Sequence, residues 1–349
     1  MADAGGHFAN LAEAEKLSLQ DRIPGVVEED MRVGGLAALL PTSQFVGTKT
    51  EWNREKTIPT ALRAGRGTQM LWQDASEYDL LERQLKTSYI QTPLDKYVES
   101  IYGTRTNYAV QQLQEDRKAL MQLIESDLIY GSGQLAGSPD EPHGIHALAG
   151  LYGEAGAGDM STNALNIDEG EGALSLANMR SIMDDMRAGI DFWLFPKVIA
   201  TRMDQMLQEG GIASFAGMGQ ITMGADETGR HLTSFGGIPI IRSDYLVAEN
   251  ANTGTDGTTA RTKLTAGATA NYSIFAVKAG SLANANNPGL SFAFGNSGEQ
   301  GRFIKTDVFD KLENFNAGGL RQVAYYNLAD GSSLALGRIY DITNAAVTA

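Results

Sequence analysis

Between Asn107 and Tyr130 apolar residues recur at helical spacing. Val110, Leu113, Leu120, Met121, Ile124 and Leu128 share one face, Gln111, Gln114, Glu115, Lys118, Gln122 and Glu125 occupy the opposite one, and Gly131 supplies a stop. The spacing predicts one helix about 36 Å long at ~1.5 Å per residue, a strut more than an ordinary globular helix. Just upstream, Thr92 is a candidate cap, Pro93 suits the first helical position and Asp95 follows three residues after the cap. That arrangement predicts a shorter helix with Leu94, Tyr97, Val98, Ile101 and Tyr102 as its buried stripe and Gly103 as its end.

Residues 174–246 alternate helical and strand periods. Ser175 stands as cap before a stripe of Leu176, Met179, Ile182, Met183 and Met186. Phe192–Phe195 reads as a short buried strand, and Pro196 opens a second helix carrying Val198, Ile199, Met203, Met206 and Leu207 as far as Gly210 and Gly211. A Gly-rich excursion over 212–233 precedes the strand Ile238–Ile241. Gly236 and Gly237 form a turn. Pro239 has no N–H, so its strand is an edge strand or places the proline where no ladder bond is needed. Residues 248–271 are small and polar and read as a surface insertion; Ser273–Val277 returns to strand. The C-terminal part is β-rich, with strands over Arg302–Leu312, Leu320–Leu328 and Leu334–Ile342, the last two flanking Asp330 and Gly331 as a hairpin turn.

Residues 1–46 have modest apolar content and read as an arm or, alternatively, a frayed terminus; the arm is favoured because Val26, Val27, Met31, Val33, Leu36 and Leu39 require burial elsewhere. Residues 47–91 read as a long hairpin: one limb Gly47–Ile58, a tip Pro59–Gly67 and a return limb Met70–Tyr89, within which Asp79–Lys86 is alternatively a helical turn. Residues 131–173, Gly-rich with Pro139 and Pro142, are too long for a plain connector and form either a functional loop or a set of short elements.

Length and composition narrow the classes. The chain has 349 residues, enough for about two domains at roughly 150 residues each. With 42% hydrophobic residues it can bury a core, and its 40 glycines have no fixed period, which excludes a collagen-like fibre. A net charge of −14 argues against wrapping nucleic acid by phosphate neutralisation and is compatible with facing it. The absence of cysteine removes disulfides, Cys-ligated zinc, iron–sulfur clusters and thiol nucleophiles. No basic patch followed by an apolar stretch opens the chain, and runs such as Leu36–Leu40 fall far short of the ~20 residues that cross a bilayer. The expectation is a cytoplasmically made protein with no membrane association.

Candidate chemistry is thin. His143 and His146 lie in a Pro- and Gly-rich stretch and read as loop histidines, not as a metal pair. Gly131, Gly133 and Gly137 miss the dinucleotide-loop spacing and follow a helix where a strand is needed. Asn252–Gly257 is like the start of a calcium loop, but its twelfth position is Lys263. Asp184 and Asp185 sit on a solvent-facing helix surface. No catalytic residue, cofactor or metal site is assigned. One charge feature stands out: between Lys49 and Arg66 lie the five basic residues Lys49, Arg54, Lys56, Arg63 and Arg66 and only two acids, Glu51 and Glu55. Such a segment is a solvated loop, in which exposed pairs contribute about 0–1 kcal/mol, or a basic projection that docks on an acidic neighbour.

In this order the parts resemble the major capsid proteins of tailed double-stranded DNA bacteriophages, the Hong Kong 97-type fold. The resemblance spans roughly residues 25–345: arm, extended hairpin, short helix, long helix ending in Asp127–Gly131, a Gly-rich crossing with His143, Gly144 and Ile145, the segments around Asp191–Ala200, Ser234–Leu246 and Ser273–Lys278, and a terminal β region. It implies an α+β fold with an N-terminal arm (1–46), an extended loop (47–91), a peripheral domain with a spine helix (92–173 and 296–349) and an axial domain (174–295). It further implies a structural protein and not an enzyme, assembling with itself through hexamers and pentamers into an icosahedral virion shell in the host cytoplasm. A scaffolding protein, a portal protein and a decoration protein would be its partners, and DNA would be enclosed without sequence-specific binding. Lys49, Arg54, Lys56, Arg63 and Arg66 then become subunit-interface candidates. Some members of that family join a loop lysine to an asparagine of a neighbour; Lys49 and Lys56 lie in the loop and Asn314 and Asn316 in the C-terminal part, without a residue-by-residue match. Three rivals remain: an encapsulin-type shell with protein cargo, an enzyme with a Gly-rich loop at 131–160, and another virion or surface β protein lacking the long helix.

Overall fold

The long amphipathic helix is present over 23 residues, Tyr108–Tyr130, in a computed structural model that describes residues 32–96, 108–133, 140–153, 165–209, 221–225, 231–251, 262–282, 287–295, 303–311 and 316–348. In chain order these residues form β1 (Thr42–Phe45), β2 (Lys49–Thr57), β3 (Glu77–Gln84), β4 (Lys86–Asp95), α1 (Tyr108–Tyr130), α2 (Ile145–Gly153), β5 (Asn166–Gly172), α3 (Leu176–Asp185), β6 (Phe192–Pro196) and α4 (Lys197–Glu209). There follow β7 (Ile221–Ala225), β8 (His231–Phe235), β9 (Ile238–Ser243), β10 (Glu249–Asn250), β11 (Ala270–Val277), β12 (Leu290–Gly295), β13 (Ile304–Phe309), β14 (Ala317–Asp330), a 3-10 turn (Ser333–Ala335) and β15 (Leu336–Ile342).

The strands make three sheets. A five-stranded sheet has the order β1-β12-β14-β13, with β4 on the other edge of β14. An eight-stranded sheet runs β5-β15-β11-β6-β9-β8-β7, with β10 beside β11, and β2 pairs with β3 alone. Thus β5 and β15 join the second sheet and β12 the first, so sheet membership does not follow the segment boundaries at 173/174 and 295/296.

Two cores meet across the eight-stranded sheet. Leu120, Ile124 and Leu128 of α1 pack with Leu36, Phe292, Tyr326 and Leu328, while Met179 and Ile182 of α3 and Ile199 and Met203 of α4 share the second core with Ile339. The period-2 alternation of strands feeds both. In β6, Phe192 and Leu194 face the first core and Trp193 and Phe195 the second; in β11, Phe275 and Val277 face the first and Ile274 and Ala276 the second. Strands covered on both faces read as continuous apolar runs, which is why Phe192–Phe195 was legible as buried.

Pro239 is accommodated without an edge. The two-residue turn Gly236–Gly237 sets Phe235 opposite Ile238 and Ser234 opposite Pro239, and pairing with β6 on the other side begins only at Ile240. The missing N–H therefore removes no ladder bond.

Several expected elements differ. Thr92, Pro93 and Leu94 do not start a helix; they continue β4, opposite Leu320, Gly319 and Gly318 of β14. Pairing over the whole strand outweighs local capping preference, and β4 has β14 as its one partner among the described residues, so Pro93 disturbs nothing. Tyr97–Gly103 lie outside the described residues. The return limb of the hairpin begins at Glu77, and Asp79–Gln84 is strand, not helix. Asp330 and Gly331 are not a hairpin turn: β14 and β15 belong to different sheets, Asp330 is buried, and Ser332 caps the 3-10 turn that carries the chain across. Ser175 occupies the N-cap position of α3, but its side chain makes no cap bond. The stretch 131–173 contains α2 and β5, and the excursion over 212–233 contributes β7 and most of β8.

The described part of the arm is built into the body. Leu36 is fully buried, and its N–H and that of Ala37 donate to the Glu125 carboxylate at 2.6 and 3.2 Å. Glu125 is thus buried on α1 and not on a solvent face; burial raises its carboxyl above the usual range, against the two amides that favour its charged form. Val26, Val27 and Met31 lie outside the described residues, and Val33 is exposed.

Candidate assembly interface

The β2–β3 hairpin projects from the body. Every residue from 58 to 75 is exposed, and Met70, Leu71 and Trp72 are 83%, 68% and 100% accessible. Three consecutive large apolar side chains left mostly uncovered by their own chain form an unsupported apolar tip. The sequence reading took Met70 as the start of a strand and missed them; their signal is a solid apolar triplet in a polar, Gly-rich stretch.

The five basic candidates separate into different environments. Lys49 is held inside the hairpin by Glu51 and by Glu82 at 3.1 Å, and these partners raise its pKa. Arg54 is half-buried and near enough to Asp330 to favour its charged form. Lys56 lies on β2, with its side chain outside the described residues. Arg63 and Arg66 are exposed in the connection between the strands. The structure therefore brings Arg54 to the hairpin base and leaves Arg63 and Arg66 exposed in the same connection as the apolar triplet. Asn316 accepts the Lys96 N–H, and Asn314 lies outside the described residues.

At the base the hairpin is tied to β14. Arg83 Nη2 donates to Asp330 Oδ1 at 2.9 Å, and the guanidinium lies 5.7 Å from the Trp52 ring centre. Asn327 donates to the Gln84 carbonyl at 2.7 Å and accepts from the His143 N–H at 2.9 Å. Burial raises the Asp330 carboxyl, with Arg83 and Arg54 acting against it.

Neither histidine is a surface loop residue. His143 is buried, and His146 lies in the first turn of α2, stacked on Tyr130 with its Nε2 2.8 Å from Glu249 Oε1. Burial, then the nearby Arg83 and Lys86, lower the His143 pKa from 6.5 to about 4. The folded chain keeps His143 neutral, whereas the unfolded chain takes up a proton as pH falls through 6.5. The stabilisation is complete above that pH and is lost on descending toward about 4, with a total near 3 kcal/mol. In urea titrations His143→Phe is expected to flatten this part of the stability profile; an unchanged slope between pH 6.5 and 4 would refute the assignment.

The segment 248–271 is not all surface. Glu249 and Asn271 are buried: Glu249 accepts from Tyr130 at 3.0 Å and Ser273 at 2.5 Å and faces Arg338 at 3.9 Å, while Asn271 donates to Asp341. Among the described residues no cluster of three or more His, Asp or Glu is placed to hold a metal ion, and no helix is long and apolar enough to cross a membrane.

No family model matches the sequence, and no curated protein matches it. Solved structures do match over nearly the whole chain. The capsid of the Cyanophage P-SCSP1u superposes with a TM-score of 0.58 at 11% identity, over 95% of this chain and 94% of that one. Mycobacterium phage Ogopogo gives 0.58 at 11% identity, over 95% and 99%. This is the Hong Kong 97-type fold. The holo-SrpI encapsulin complex from Synechococcus elongatus PCC 7942 shares it, with a TM-score of 0.65 at 12% identity over 97% of both chains. The α+β class and the Hong Kong 97-type fold are those the sequence resemblance implies.

Proposed function

We propose that the chain is the major capsid protein of a tailed double-stranded DNA bacteriophage, assembling through hexamers and pentamers into an icosahedral virion shell. The observation that carries this reading is the near-complete likeness to phage capsids, which spans hairpin and body alike. In this reading residues 47–91 are the extended loop, α1 is the spine of the peripheral domain, and 174–295 form most of the axial domain. The role is structural and not enzymatic. Shell contacts are individually weak and sum over large interfaces, so a limb that leaves Met70, Leu71 and Trp72 uncovered in its own subunit is suited to burial on a neighbour. A scaffolding protein, a portal and a decoration protein would be its partners, and the net charge of −14 suits an inner surface that faces DNA without binding it tightly.

A second reading is an encapsulin-type shell, favoured by the TM-score of 0.65 with the encapsulin complex. Electron microscopy of the expressed chain, with nuclease treatment and mass spectrometry of particle contents, separates the two. Shells associated with packaged DNA support the capsid reading, shells loaded with a protein cargo support the encapsulin, and a small soluble oligomer refutes both.

Within either shell the exposed tip charges act across the interface. Reversing Arg63 and Arg66 together to Glu is expected to reduce particle yield at low salt while leaving thermal unfolding of the subunit unchanged. Normal yield at low salt would remove these two residues from assembly. Arg54 is left out because its position beside Asp330 ties it to the hairpin base.

A further inference from the structure

Among the described residues the hairpin meets the body at one end, where β3 approaches β14. Leu85, the single residue between β3 and β4, donates its N–H to the Thr48 carbonyl and marks the crossing from the two-stranded sheet to the five-stranded one. Beside it the chain buries a charge pair, with Arg83 and Asp330 side chains only 9% and 2% exposed. The pair is poorly served by its surroundings. Arg83 Nε, Asp330 Oδ2, Thr50 Oγ1 and Trp52 Nε1 are all buried without a hydrogen-bond partner in the protein. Thr50 lies directly opposite Arg83 across the hairpin, and Trp52 lies under its guanidinium. Apolar residues packed in this place would stabilise the fold better than an incompletely satisfied ion pair, whose best-attested role is to select one arrangement. Both positive partners of Asp330, Arg83 and Arg54, belong to the hairpin, whereas Asp330 ends β14 of the body.

We propose that Arg83 and Asp330 form a releasable latch. Closed, it holds the hairpin at one angle to the body; open, it lets the hairpin turn about Leu85 as a unit, because the β2–β3 ladder does not depend on the pair. The latch is a property of the single subunit and stands whether or not the chain builds shells.

Because the chain has no cysteine, Gln73→Cys on the exposed connection and Leu123→Cys on α1 give two unique spin-label positions. Pulsed electron-spin distance measurements on the full chain, diluted into unlabelled chain, read the hairpin angle. The latched protein is expected to give one narrow distance distribution. Asp330→Asn is expected to replace it with a broad or two-peaked one while α1 keeps its hydrogen-exchange protection. Arg83→Lys keeps the buried charge and so protects folding, but loses the fork that bridges Asp330 and the Glu82 carbonyl; it is expected to broaden the distribution too. A broad distribution in the unsubstituted pair, or the same narrow one in Arg83→Lys, overturns the latch.

Discussion

Serine at positions 70, 71 and 72 together is expected to abolish particle formation while leaving the subunit as stable as before. Met70, Leu71 and Trp72 are 83%, 68% and 100% accessible, so their removal costs the isolated fold little. Burial on a neighbour contributes about 1.5–3 kcal/mol for each large apolar side chain, and a tryptophan seated in a pocket is the residue type most often found to dominate an interface. Because every copy in a closed shell repeats the contact, a loss of a few kcal/mol per subunit shifts the assembly equilibrium far more than the same loss in one binary complex. Sedimentation velocity on the expressed chain would register the change from particles to free subunits, and calorimetry would report the subunit's midpoint. Particles at the normal yield would take the apolar tip out of assembly; a large drop in the midpoint would mean that the tip packs on its own body.

The features legible in the sequence were those whose physical cause is local. The stripe of α1, the doubly buried Phe192–Phe195 strand and the Gly236–Gly237 turn each follow from residues within one or two turns of chain. The misread features depend on partners far away. Glu125 looked like a solvent-face residue because it is charged, yet it lies four residues after Met121 and three before Leu128, both members of the apolar stripe. Asp116, three residues after Leu113 and four before Leu120, is also buried, accepting from Thr92 and Gln112. A carboxylate at these spacings borders the buried face, and what it binds there, the amides of Leu36 and Ala37 in one case and the end of β4 in the other, is set by tertiary structure.

Asp330 and Thr92 failed for a related reason. Each carries a strong local signal, a turn dipeptide and a helix cap, that a long-range pairing overrides. The candidate interface was half legible. The net positive charge of the hairpin was visible, but not that Lys49 and Arg54 are engaged near its base while the apolar triplet carries the exposed tip. Charge draws attention in an acidic chain, whereas an apolar triplet is noticed only once it is known to be uncovered.

Glu249→Leu is expected to be among the most destabilising single substitutions in the body, costing about 3–5 kcal/mol in urea or guanidinium unfolding. The carboxylate joins four elements: Tyr130 at the end of α1, His146 on α2, Ser273 on β11 and Arg338 on β15 all face it, and Arg338 and His146 are no more than 1% exposed. Its removal leaves a buried guanidinium without this counter-charge and two hydroxyl groups without their acceptor, penalties that exceed the apolar gain from leucine. The pair with Arg338 can be isolated. Arg338→Met alone leaves Glu249 facing no cation on β15 and is expected to be destabilising as well, whereas the double variant should cost clearly less than the two singles added together, because neither buried charge then remains uncompensated. Strict additivity would mean that Glu249 acts through Tyr130, Ser273 and His146 alone. A favourable coupling makes the ion pair a buried tie between β10 and β15 of the eight-stranded sheet, and Tyr130 at the end of the long helix donates to the same carboxylate.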